Sequence, residues 1–260
     1  GAEVRSDIGP EDIALVRLDV LPTLDGIEPG LLQVLLLERR GTRVLNTAAA
    51  LLAAHDKLRT ARLLKRARIP HPATVHITSL ADLSLQPPVV LKPRFGSWGT
   101  DVVLCPDARA VRRHLREIED RPWFRRHGAI AQEAVANRGR DLRVIVADGC
   151  VVGAAERLAA PGEWRTNISC GGSLHPAHPP DPAFELAQTA AIALGADLVG
   201  VDLMPLGDDR YTVLELNGAV EFDAAYSLAG EGVHEATAIA LHLLPARSTR
   251  HARAASTRLA

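Results

Sequence analysis

Apolar and polar positions alternate with period two most clearly between Val199 and Gly218. Two apolar runs, Val199 to Leu206 and Tyr211 to Leu216, flank Gly207-Asp208-Asp209-Arg210, a composition suited to a short hairpin loop. A symmetric four-residue loop pairs 206 with 211, 204 with 213, and therefore Asp202 with Glu215. Because side chains alternate faces, Asn217 then shares the face of Glu215, while Val201, Leu203, Leu214 and Leu216 form an apolar face. Like charges opposed on neighbouring strands destabilise the pair unless they are compensated. A hard divalent cation with oxygen ligands compensates them; simple hydration of the acids is the alternative.

The same patterning predicts the remaining elements. Apolar runs at Ile13–Leu18 and Val44–Leu45 read as strands, and apolar residues at 31, 32, 35 and 36 place a helix over Pro29–Arg39. Asn46 and Thr47 are caps for an Ala/Leu-rich helix to Ala54. Leu58, Ala61 and Leu64 give Asp56–Arg68 helical spacing, until Ile69-Pro70-His71-Pro72 stops it. From Pro87 the texture turns to β: strand Val89–Pro93, loop Arg94–Thr100, returning strand Val102–Leu104, helix Ala108–Asp120, strand Gly128–Ala134. Asp148-Gly149 joins Leu142–Ala147 to Val151–Ala155 as a two-residue hairpin. Helices over Pro182–Leu194 and Glu231–Leu244 follow, and 246–260, rich in Arg, Ser and Ala without apolar periodicity, is expected to be a disordered tail.

Composition narrows the function. With 47% hydrophobic and 23% charged residues, the 260-residue chain is an ordinary globular protein. A net charge of -1 argues against a general polyanion surface, so no nucleic-acid partner is expected. The apolar runs fall short of the roughly 18 residues a membrane span needs, and Gly1–Pro10 has no signal-peptide pattern, so a cytoplasmic location is expected. Cys105, Cys150 and Cys170 lack C-x-x-C spacing and read as buried free thiols.

Several short motifs could carry chemistry. Gly96-Ser97-Trp98-Gly99-Thr100 has the small-residue composition that lets backbone N–H groups approach phosphate oxygens, although it is not a P-loop. Lys92, just inside the preceding strand, could reach the phosphates that loop covers. Gln132-Glu133 ends a strand where a base edge or ribose hydroxyls could be read. Asp141 and Arg143 share a strand face, and Arg157, Arg165 and Asn167 follow. No Ser/His/Asp or Cys/His signature points to a protein nucleophile.

Taken in order, Lys92, the Gly96-Ser97-Trp98-Gly99 loop, Gln132-Glu133, Asp141-Leu142-Arg143, Arg165-Thr166-Asn167 with Gly171-Gly172, and Asp202 with Glu215-Leu216-Asn217 resemble the ATP-grasp superfamily. The likeness is greatest to the RimK-type branch, which includes ligases adding glutamate to a peptide or cofactor carboxylate and lysine-biosynthesis ligases that use an amino-group carrier protein. It covers residues 44 to 244. The resemblance implies an α+β fold: two α+β subdomains that grip ATP, 55–135 with the lid loop and 136–245 with a metal site, after a shortened α/β domain over 1–54. It implies that Lys57, Lys92 and the loop Gly96, Ser97, Gly99 and Thr100 meet the phosphates, that Gln132, Glu133 and Ala134 lie at the adenine hinge and Asp141 at the ribose. Arg165, Thr166 and Asn167 would lie by the triphosphate, with Lys92, Arg165 and Asn167 catalytic. Asp202, Glu215 and Asn217 match the magnesium (or manganese) ligands, and Arg143 and Arg157 are candidates to grip a substrate carboxylate.

The expected reaction is amide formation through an acyl phosphate, adding glutamate or another amino acid, with ATP, to a carboxylate acceptor that is a small molecule, a peptide or a carrier protein. A carrier-dependent ligase and a non-catalytic ATP-binding protein are the alternatives, and a homo-oligomer is compatible with the family. Where many glutamate-adding members continue with Ser-Pro-Gly after the last ligand, this chain has Gly218-Ala219-Val220-Glu221-Phe222, which leaves the substrates open.

Overall fold

The computed structural model of the protein describes residues 8–136, 138–228 and 230–245. The expected tail over 246–260 lies outside the described residues.

A small first layer pairs β1 (Ile13–Leu15) with β2 (Arg43–Leu45) in parallel, with α1 (Leu31–Arg39) as the crossover. β1 is shorter than the run to Leu18 suggested. The Thr47 hydroxyl accepts from Ala50 N and so caps α2 (Ala48–His55). Ala14, Val34, Val44 and Leu51 close a modest core between these elements. Buried Asn46 bolts this layer to the largest sheet, donating to Leu198 O at 2.6 Å and accepting from Leu198 N at 2.9 Å. Next, α3 (Lys57–Arg66) starts at Asp56, whose carboxylate accepts from Leu58 N and Arg59 N.

The second layer is an antiparallel sheet in the order β3 (Thr74–Ile77), β6 (Ala129–Glu133), β4 (Val89–Pro93), β5 (Val103–Cys105). Ile77, Val89, Leu91, Ala129 and Ala131 pack in one core with α4 (Ala108–Ile118) and with Trp123 of α5 (Pro122–His127). Strand alternation therefore sends Val90, Lys92 and Gln132 to the opposite face.

The third layer is a five-stranded antiparallel sheet in the order β11 (Arg210–Asn217), β10 (Leu198–Gly207), β7 (Arg140–Ala147), β8 (Cys150–Leu158), β9 (Ser173–Pro176). Val144, Val146, Val199, Val201 and Leu203 bury one face against Ala187, Ala190 and Ala191 of α6 (Asp181–Leu194). Ile145, Ala147 and Val152 on the other face pack with Val233 of α7 (Val233–Ala240), a shorter helix than Glu231–Leu244. Asp141, Arg143 and Asp202 belong to this second face by strand alternation. The sequence did not announce β3, β9 or α5.

The hairpin differs from the expected one in an instructive way. Gly207 pairs with Arg210, so the turn is the two residues Asp208-Asp209, both at positive φ (52° and 53°). A register shift follows, and 205 pairs with 211, 204 with 212 and 203 with 213, in place of the expected 206–211 and 204–213 pairs. A second shift between Asp202 and Leu203 restores the pairing of Asp202 with Glu215. Leu214 is the extra residue: Val213 joins the core in its stead and Leu214 lines the cleft. Of the cysteines, only Cys105 is buried; Cys150 follows a tight turn and is exposed, and Cys170 is half-buried. Among the described residues no helix is long and apolar enough to cross a membrane.

Candidate active site

The second and third layers face each other across a cleft, with Val90, Lys92 and Gln132 on one wall and Asp141, Asp202 and Glu215 on the other. Lys92 Nζ donates to Gln132 Oε1 at 2.9 Å. Burial pulls Lys92 down to about 8, against the pull of the Glu215 charge. Lys57, the first residue of α3, places Nζ 3.1 Å from Glu215 Oε2 and donates to Gly96 O at 2.6 Å. Two lysines from separate elements thus converge on one half-buried carboxylate at the root of the glycine loop. Asp56 fixes this junction: besides capping α3 it accepts from Arg94 Nε (2.8 Å) and Nη2 (2.5 Å), while Lys57 N donates to Arg94 O (3.2 Å).

The opposed carboxylates are neutralised by cations. Arg143 grips Asp202 in a bidentate pair (2.7 and 2.8 Å), and Arg157 Nη2 adds a third contact at 2.8 Å. Burial alone would raise the Asp202 pKa, but the two guanidiniums outweigh it and hold the group at about 2. Glu215 is likewise pushed up by burial and brought below its usual value by Lys57 and Lys92. Arg157 also pairs with Asp141 through two bonds of 2.7 Å, and Asp141 accepts from the Thr166 hydroxyl at 2.7 Å. Asn217 Oδ1 accepts from Ala219 N at 3.0 Å.

The glycine loop is pinned from the far wall. Arg165 Nη1 donates to Gly99 O at 2.9 Å and Ser169 Oγ to Trp98 O at 2.5 Å. Gly99 has φ +71°, and a Cβ there would stand 2.9 Å from Asn167 Oδ1, so both conformation and space require glycine. Arg165 is itself oriented by Glu163, whose carboxyl this pairing lowers to about 2.

All the residues expected at the site line this cleft except Thr100, Ala134, Arg143 and Asn217. Thr100 is exposed and its N–H donates back to Ser97 O. Ala134 N donates to Pro88 O at 3.2 Å, and Val135 lines the cleft in its place. Arg143 and Asn217 line a second cavity that adjoins the first. Arg157, expected to grip a substrate carboxylate, lines both cavities, is buried and places Nε and Nη2 on Asp141 and Nη2 also near Asp202, while Asp141, expected at a ribose, lines the cleft and accepts from Arg157 and Thr166. The apolar walls were not foreseen: Val90, Trp98, Val102, Trp164, Met204 and Leu214 give the cleft flat greasy surfaces that suit a purine ring. Val90 and Met204 sit two residues from Lys92 and Asp202, so strand alternation was the signal that could have found them.

Two sheets closing on a lysine-lined cleft under a pinned glycine loop make the two-layered clasp of an ATP-grasp fold. The chain belongs to the RimK-like ATP-grasp domain family, whose model matches residues 54–236. It is 33% identical over 179 residues to a tetrahydromethanopterin:alpha-L-glutamate ligase of Methanosarcina acetivorans, covering 65% of this chain and 55% of that protein. It is 28% identical over 224 residues to the Glutamate--LysW ligase ArgX of Sulfurisphaera tokodaii, covering 83% and 76%. The chain therefore spans little more than half the length of the first of these relatives. Its fold matches the crystal structure of a RimK domain ATP-grasp protein from Sphaerobacter thermophilus with a TM-score of 0.62 at 23% identity, over 91% of this chain and 85% of that one.

Proposed function

We propose that this chain is an ATP-dependent carboxylate–amine ligase that forms an amide through an acyl phosphate. The convergence of Lys57 and Lys92 on Glu215, at the root of a glycine loop held from the opposite wall by Arg165, is the observation that carries the reading. The γ-phosphoryl group of ATP passes to a substrate carboxylate, leaving ADP; the amine then displaces phosphate and loses a proton. Lys57, Lys92 and Arg165 offset negative charge on the phosphates, and the loop 96–100 keeps water from the acyl phosphate. Glu133 and the backbone about Val135 face the base and ribose end of the cleft.

Asp202, Glu215 and Asn217 offer a magnesium or manganese ion three hard oxygens, two of them opposed across β10 and β11; Asp202 would share its oxygens with Arg143 and Arg157, and Asn217 Oδ1 would be shared with Ala219 N. When bound, such an ion would supply further charge neutralisation on the phosphates. Arg143 and Arg157 then keep Asp202 ionised and fix where it points. The relative that acts with LysW makes a carrier-protein acceptor the second reading. In the basic stretch from Arg138 to Arg143, which could meet an acidic carrier, Arg143 is paired with Asp202, whereas Arg140 is 54% exposed and makes only a loose 3.5 Å pair with Glu156. ATP supply makes the cytoplasm the natural setting.

The test is ADP release from ATP and magnesium across a panel of amines and carboxylic acids, with the amide read by mass spectrometry. Glu215→Gln should lower turnover at least about 100-fold, since even outer partners of a metal ligand are worth 10- to 100-fold. Tight ATP binding with no turnover on any pair would instead favour a non-catalytic ATP-binding protein.

A further inference from the structure

The second cavity meets the nucleotide cleft at Ser97, Trp98, Asn167 and Glu215, so a molecule lodged in it reaches the point where the phosphoryl group would be transferred. Its acidic wall is built from Asp19 and from the segment that follows Asn217, with Glu221 and Asp223. The charges on this wall are lopsided. The two guanidiniums that border the cavity, Arg143 and Arg157, are each paired through Nε and Nη2 with a carboxylate, Asp202 and Asp141, which offsets their charge. Glu215 has Lys57. Asp19, Glu221 and Asp223 remain, and the cation near them, Arg17, lies outside the cavity at 3.9 Å from Asp19 and 3.5 Å from Glu221 with its side chain 48% exposed. An ion pair that loose and wet offsets little charge. One Asp223 oxygen accepts from Ala225 N, which fixes the carboxylate at the rim. Leu174, Phe222 and Tyr226 supply an apolar, aromatic floor beneath the acids.

A dicarboxylic amine such as glutamate would bring its second carboxylate up against Asp19, Glu221 and Asp223, where the bordering guanidiniums are already charge-paired with Asp202 and Asp141. A substrate with an alkyl chain and a terminal ammonium fits on both counts: the chain lies on the floor and the ammonium faces the carboxylates. Resting on the ligase reading, we propose that this cavity holds the amine substrate and selects one bearing a second positive charge, a basic amino acid or a diamine, over acidic amino acids. The reacting nitrogen attacks as the neutral amine, the C–N bond forms as the carbonyl–phosphate C–O bond breaks, phosphate leaves and the N–H proton passes to solvent. The second ammonium keeps its proton and stays among Asp19, Glu221 and Asp223.

The test is calorimetric titration of L-lysine, L-norleucine and L-glutamate into the protein with magnesium and a non-hydrolysable ATP analogue. Lysine should bind about tenfold more tightly than norleucine, the sum expected of a few partly exposed ion pairs, and more tightly than glutamate. The double variant Glu221→Gln/Asp223→Asn, checked for folding by its thermal unfolding, should remove most of that tenfold while leaving norleucine unchanged. Glutamate binding as tightly as lysine, lysine binding no better than norleucine, no amine binding, or lysine affinity unmoved in the double variant would each overturn the proposal. Failure of the ATP analogue to bind strikes the ligase reading instead, and the same titrations on the nucleotide-free protein then decide the charge preference.

Discussion

Arg157→Met is the substitution that most directly separates holding the site together from touching substrate. The Arg157 side chain is 6% exposed, its Nε and Nη2 donate to Asp141 at 2.7 Å each, and Nη2 also stands 2.8 Å from Asp202. Methionine keeps much of the apolar stem and removes the charge. Asp202 then keeps the bidentate Arg143, but Asp141 keeps the Thr166 hydroxyl in place of a cation. Removing one partner of a buried ion pair costs about 3–5 kcal/mol, because the other charge stays buried without compensation. Against a total stability of about 5–15 kcal/mol that is a large fraction, readable as a shift of the urea unfolding midpoint at pH 7 with unchanged slope. Arg143→Met should cost less, about 1.5–3 kcal/mol, since its side chain is 18% exposed and Asp202 retains Arg157. The double variant Arg157→Met/Asp141→Leu should recover much of the loss, because both members of the pair are gone. A single variant within about 1 kcal/mol of the parent, or a double variant no better than the single, would refute this reasoning. A raised KM for the acid substrate with intact stability would return Arg157 to the substrate-gripping role.

Two further outcomes follow from the geometry. Gly99→Val places a branched residue at φ +71° with its Cβ 2.9 Å from Asn167 Oδ1, so the loop must leave its seat on Arg165. The KM for ATP should rise roughly tenfold, in line with about 1–3 kcal/mol of backbone strain, and an unchanged KM would leave the loop an ordinary turn. Lys92, at about 8 against 10.5 for the free side chain, gives a pH signature. Between these values the unfolded chain binds more protons than the folded one, so this group makes stability rise with pH by up to about 3 kcal/mol from pH 8 to 10.5. Lys92→Met should lack that rise, and parallel stability curves for the two proteins would contradict it.

The elements that could be read from sequence were those whose evidence is local. Thr47 caps its helix through a bond spanning three residues, and the Asp148-Gly149 turn needs only its own backbone; each was legible for that reason. β3 escaped because Thr74-Val75-His76-Ile77 acquires its meaning only by pairing with Thr74 opposite Gln132, far along the chain. The pairings of Arg143 and Arg157 were hidden in a similar way. A guanidinium looks the same in sequence whether or not it is paired with acids 16 and 59 residues away.

The hairpin shows both limits at once. Its pairing of Asp202 with Glu215 was reached through a four-residue loop, whereas the chain makes a two-residue turn and then slips by one residue twice. The slips cancel at Asp202, so the expected pair stands although neither expected pair on its turn side does. The cancellation has a cost in ladder bonds and a consequence for the site. Without the second shift, the strand would keep the 203–213 register and set Leu214, not Glu215, opposite Asp202, moving the carboxylate away from Lys57 and Lys92. With it, Leu214 turns into the cleft as an apolar wall and Glu215 stays beside the lysines. Bulges placed beside functional groups re-aim side chains in this way, and a strict period-two reading cannot anticipate one that is compensated a few residues earlier.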